Sequence, residues 1–117
     1  MPETYLELVE ALKELEQGGV ALPVAENEWG TRPDTVSYGL VSFDFERNQL
    51  TGDDRKTDES YEGSVDLYSM AKNGAGWVPL IRQVLTEYCG PCWELNTHKR
   101  ESETGLHHWE WVFRIEG

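Results

Sequence analysis

The sequence holds two cysteines in 117 residues. No disulfide framework can be built from so few, and a single domain of this length needs none, since it buries roughly two thirds of its unfolded surface. Basic residues are scarce as well: ten Lys and Arg stand against 22 Asp and Glu, a formal net charge of −12. A surface so acidic repels nucleic acid and anionic lipid, which argues against sequence-specific nucleic-acid binding. No apolar run approaches the roughly 20 residues that cross a bilayer, so no membrane contact is expected. The opening residues Met1, Pro2, Glu3 and Thr4 do not begin the basic-then-apolar pattern of a signal peptide, which predicts a chain made and kept in a cytoplasm. A Gly-rich phosphate loop, a Gly-x-Ser-x-Gly elbow and a basic-aromatic surface are all missing. With 22 carboxylates, chance pairs carry no information about acid–base chemistry, and neither enzymatic activity nor a cofactor is expected.

What the sequence does contain is clearest at residues 109–115. Period-two alternation puts Trp109, Trp111, Phe113 and Ile115 on one face of a strand, and Glu110 and Arg114 on the other. Each aromatic buries roughly 150 to 250 Å², so this strand lines the core of a small sheet and needs helices as cover. Residues 4–17 supply one: Tyr5, Leu8, Val9, Leu12 and Leu15 follow helical spacing, Thr4 and Glu7 form a capping box, and Gly18-Gly19 ends the helix. Glu3, Glu7, Glu10 and Glu14 make an acidic stripe beside the apolar one, read either as a solvated face or as an acidic surface with a role. Residues 77–88 supply the second helix, with Pro79 in its first turn and Leu80, Ile81, Val84, Leu85 and Tyr88 as its apolar stripe.

Between the helices, residues 20–24 read as a short extended segment that Pro23 confines to an edge or non-strand position, followed by a loop in which Trp29 is either a lid on the core or a contact residue. Residues 36–50 read as a strand with Val36, Tyr38 and Leu40 on one face and Val41, Phe43 and Phe45 on the other, a parity change that suggests a bulge near 40–41 or a strand whose two halves face different neighbours. That second apolar face is either buried twice or meets another subunit. Residues 51–60 hold no apolar side chain and read as a loop far longer than a hairpin requires, carrying Asp53, Asp54, Arg55, Lys56, Asp58 and Glu59; it is either a contact loop or a tolerated insertion. The return strand covers 62–70, and a final hairpin pairs 93–99 with 107–115. The fold class is therefore α+β over a single domain, residues 1–117: a small, mostly antiparallel sheet covered by two helices, in the order α-β-β-β-α-β-β.

Cys89-Gly90-Pro91-Cys92 matches the dithiol of thioredoxin, but here it ends a helix, where the dipole opposes a thiolate, instead of beginning one. Two buried or half-buried thiols fit better, with Gly90 ending the helix and Pro91 following as a stop. Zinc held by the pair together with His98, His107 or His108 is the other use, although period-two alternation sends His107 and His108 to opposite faces.

The element order, with the short segment Val20-Ala21-Leu22-Pro23-Val24, the strand Val36-Ser37-Tyr38-Gly39 and the return ending Val65-Asp66-Leu67-Tyr68-Ser69, resembles the tail completion proteins of long-tailed bacteriophages and prophages, also called tail terminator or tail-to-head joining proteins. The resemblance implies a structural virion protein assembled in the host cytoplasm. It implies a homo-oligomeric ring, usually a hexamer, at the head-proximal end of the tail tube, with the major tail tube protein and a head completion or connector protein as partners. In that setting Val41, Phe43 and Phe45 would face a neighbouring subunit, and the polar segment with Asp53, Asp54, Arg55, Lys56, Asp58 and Glu59 would order on docking. The alternative is an acidic adaptor or inhibitor, a nucleic-acid mimic among the options, that binds a basic partner.

Overall fold

The computed structural model describes residues 3–27, 36–50, 56–102 and 104–116, and of residues 44–50, 56–60 and 116 the backbone alone. Helix α1 (Glu3–Lys13) is followed by two-residue strands β1 (Glu16–Gln17) and β2 (Val20–Ala21), then β3 (Val24–Glu26), β4 (Ser37–Leu50) and β5 (Lys56–Ser69). A 3-10 turn (Gly74–Gly76) leads into α2 (Trp77–Cys89), and β6 (Trp93–Arg100) and β7 (His107–Glu116) close the chain. Strands β3 to β7 form one sheet in the order β3-β4-β5-β7-β6, while β1 and β2 pair separately. The domain is α+β with two helices and mixed sheets: β3 runs parallel to β4, and every other pairing is antiparallel.

Register explains the core. Val41 lies opposite Val65, which lies opposite Trp111 in turn, and Leu67 lies opposite Trp109. Strand alternation sends these side chains to one face, where they meet Tyr5, Leu8, Val9 and Leu12 of α1 and Trp77, Ile81, Val84 and Leu85 of α2. Trp109, Trp111, Phe113 and Ile115 are all buried, as their alternation requires. Tyr5 stands 4.5 Å, centroid to centroid, from Phe43 and 6.4 Å from Phe113, bolting α1 across β4 and β7. Close approach of the sheet to itself demands glycine at 63: a Cβ there would run into the Ser42 carbonyl oxygen and stand 2.6 Å from Phe113 Cζ.

Several expectations are corrected. Helix α1 ends at Lys13, short of Gly18-Gly19, and Thr4 lies inside the helix, where it cannot be the N-cap. Gly18 (φ +58°) and Gly19 (φ +83°) instead form the two-residue turn of the β1–β2 hairpin, the conformation a type I′ turn requires. The single strand expected at residues 20–24 is divided, because Pro23 ends β2 and only its carbonyl is used, accepting from the Gly39 N–H at 2.7 Å. Asn27 (φ +66°) then closes β3 by donating its N–H to the Val41 carbonyl at 2.7 Å. The bulge in β4 is at Asp44, between the Phe43–Gly63 and Phe45–Glu62 pairs, and not at 40–41. Trp29 lies outside the described residues.

Candidate functional site

The feature that the core does not account for is the length of β4 and β5. Each has 14 residues, about 48 Å at roughly 3.4 Å per residue, and the molecule's longest dimension is 51 Å. Strand β3 accompanies β4 only from Gly39 to Val41, and β7 accompanies β5 only as far as the Ser60–Glu116 pair. Past that point Asn48, Gln49 and Leu50 pair with Glu59, Asp58 and Lys56 alone. A two-stranded ribbon therefore projects beyond the body. The ten-residue loop expected at 51–60 is accordingly corrected: Lys56, Asp58 and Glu59 belong to a strand, hydrogen-bonded into a ladder. Polar composition alone misleads, because a strand segment without apolar residues has no alternation to announce it. Asp53, Asp54 and Arg55 lie outside the described residues.

The other expected contact residues divide. Val41 is fully buried beneath the helices, and Phe43 packs against the same core while its ring lies 5.6 Å from that of Tyr61. That face of β4 is thus occupied by the chain's own helices and leaves Val41 nothing to present to a neighbour. Only the backbone of Phe45 is described, next to the Asp44 bulge.

The opposite face, against which no helix packs among the described residues, carries a polar arrangement that the sequence does not reveal. Tyr38, Tyr68 and His108 sit side by side on β4, β5 and β7, their rings stacked at 5.0 and 4.3 Å. His108 Nε2 lies 2.7 Å from Asp66 Oδ1, a carboxylate whose side chain is only 8% exposed. Burial, with Asp66 adding to it, pushes the Tyr68 phenol up to about 12, so it stays a neutral donor at any ordinary pH. Nearby, Asn96 Nδ2 donates to Glu110 Oε1 at 2.6 Å. The arrangement orients an imidazole against a carboxylate and holds it flat on a ring. Finding it required the pairing register of three strands, which spacing along one strand does not reveal.

The cysteine motif occupies the far end of the same hairpin. Cys89 is buried and Cys92 half-buried, both as free thiols. The Cys92 N–H donates to the Cys89 carbonyl at 3.0 Å and Gly90 has φ +59° and ψ −127°, the mirror image of the second residue of a type II turn. Gly90 ends α2 as expected, but through this turn and not through a left-handed cap. Burial first, and Cys92 second, push the Cys89 thiol up to about 12, the reverse of an activated thiolate. Cys92 lines an open groove of about 460 Å³ together with Glu62, Pro91, Trp93, Val112 and Arg114. The zinc alternative fails on distance: Trp93, next to Cys92, pairs with Phe113, whereas His108 and His107 lie five and six residues away along β7 and His98 five residues away along β6, about 16 to 20 Å at roughly 3.3 Å per residue. His107 and His108 do face opposite ways, the first 5.9 Å from the Trp109 ring and the second on Tyr68. Among the described residues no group of three or more His, Cys, Asp or Glu could hold a metal ion.

No protein-family model matches the chain, and no curated protein is similar to it at a significant level.

The acidic stripe of α1 is solvated: Glu3, Glu7, Glu10 and Glu14 are all exposed. Together with Ala11 and Tyr88 the last three line a shallow groove of about 170 Å³. Partial burial, then Glu87 and these same carboxylates, raise the Tyr88 phenol above its ordinary range, so α2 presents a neutral hydroxyl group to this negative strip. Among the described residues no helix is long and apolar enough to cross a membrane.

Proposed function

We propose that this chain is a structural subunit of a bacteriophage or prophage tail, a tail completion protein that forms a ring at the head-proximal end of the tail tube and joins the tail to the head. The observation that carries this reading is the β4–β5 ribbon, a stretch of paired strand extending past the described strands that flank it, β3 and β7. A ribbon of two strands is marginal alone in water, and a surface of this kind gains order when a partner covers it. Its outward backbone groups, and the open outer edge of β6, suit a subunit that works through contacts with copies of itself, the major tail tube protein and a head connector protein. A solvated stripe of carboxylates on α1 suits a wall past which DNA must slide without being held. The interface belongs to the ribbon of residues 48–50 and 56–59, in place of the Val41 and Phe43 face.

The test is assembly. Light scattering and negative-stain imaging of the protein alone and mixed with tail tubes should show rings capping the tubes. A variant in which residues 48–59 are replaced by a two-residue turn should fold but leave tubes uncapped. A chain that stays monomeric beside tubes, and is instead held by a basic protein in a salt-sensitive complex, would replace this reading with that of an acidic adaptor.

A further inference from the structure

We infer that Cys89 and Cys92 are the two halves of a reversible disulfide that closes across the turn joining α2 to β6. The turn brings them together: their residues are the first and fourth of a β-turn whose closing hydrogen bond, Cys92 N–H to the Cys89 carbonyl, measures 3.0 Å. A turn of this type holds its end Cα atoms within about 7 Å, and a disulfide spans roughly 4.4 to 6.8 Å between the same atoms. The two central residues fix the shape. Gly90 supplies the positive φ, and Pro91 locks its own φ near −65°, close to what the next position of the turn requires. Replacing either residue would loosen the turn. Cys92 borders the open groove with Pro91 and Trp93, so an oxidant reaches it first, while Cys89 lies inside, 8% exposed.

The chemistry balances with a small-molecule disulfide as oxidant. The Cys92 thiolate attacks one sulfur of glutathione disulfide, forming a mixed disulfide and releasing one glutathione thiolate. Cys89 then gives up its proton, attacks the Cys92 sulfur and expels the second glutathione, so two protein thiols are oxidised and one disulfide is reduced to two thiols. The second step is the slow one, because burial keeps Cys89 protonated. Its rate should rise about tenfold per pH unit through the neutral range, as the thiolate fraction does well below a thiol's pKa. The closed ring ties the last turn of α2 to the residue just before β6 and so restrains the neighbouring Trp93, which stands between the groove and the guanidinium of Arg82, 5.7 Å from its ring. Closure needs only an oxidising thiol pool, and it stands whether or not the chain is a tail subunit.

The experiment incubates folded protein with glutathione disulfide and follows intact mass and free-thiol count. The wild-type chain should pass through a glutathione adduct and finish two hydrogens lighter, with no free thiol and no glutathione attached. Cys89→Ser should stop at the adduct on Cys92, and Cys92→Ser should leave Cys89 unreacted. Cys92→Ser alters a half-exposed position, so its folding provides the control if Cys89→Ser is unstable. A wild-type end product that keeps glutathione on Cys92 beside a free Cys89 would overturn the inference. So would two intact thiols under conditions that modify Cys89→Ser completely.

Discussion

Gly63 shows how much of this sheet rests on one missing carbon. Added to residue 63, a methyl group would meet the Ser42 carbonyl oxygen and the Phe113 ring, the first of them backbone that has no rotamer to change. Gly63→Ala should therefore destabilise the fold by about 3 kcal/mol, near the upper end of overpacking costs, measurable as a lower urea midpoint with an unchanged slope. Two other residues give the protein a defined alkaline limit. Burial raises Cys89 from 9.0 to about 12 and Tyr68 from 10.0 to about 12. A group whose pKa is raised on folding stabilises fully below its unfolded pKa and loses that contribution as pH climbs through the folded one. Stability should thus be level on the acid side of about 9 and decline between about 9 and 12. Chemical denaturation at stepped pH checks this, and Tyr68→Phe should remove the part of the decline that begins near 10.

At the scale of elements, legibility followed burial. The two helices and β7 were readable because each has an apolar stripe of the right period facing one side, and Trp109 to Ile115 lie where alternation puts them. Trp77, the first residue of α2, is a core residue that the apolar stripe starting at Leu80 does not include. The polar half of the β4–β5 hairpin reads as loop because nothing apolar marks Lys56 to Ser60 as strand; its ladder runs on from the Val41–Val65 pair, past the bulge at Asp44, to the Asn48–Glu59 pair about 20 Å away at roughly 3.3 Å per residue. The Asp66–His108 pair was hidden for a related reason, since it depends on which strands are neighbours. Gly18-Gly19 was read as a helix end because a positive φ serves both a helix terminus and a hairpin. Its actual place in a type I′ turn yields a prediction. Nothing lies within 4 Å of a Cβ at Gly18, and Asn-Gly is the favoured pair for such a turn, so Gly18→Asn should stabilise by about 0.5 kcal/mol, seen as a small rise in Tm.

For the molecule as a whole, the sheet order has a consequence in time. Strand β7 follows every other strand of the sheet in the sequence, yet it lies between β5 and β6, and Trp109, Trp111, Phe113 and Ile115 form much of what the helices cover. While the ribosome is still adding residues before 107, Val65 and Leu67 have no neighbour on that side and α2 has little to lie on. The fold therefore closes only once residues 107–116 have been made, and until then the excess of carboxylates sets the nascent chain against association with other copies. A chain ending at residue 106 should show no cooperative thermal transition and rapid digestion by protease, and adding a peptide of residues 107–117 should restore both the transition and the resistance.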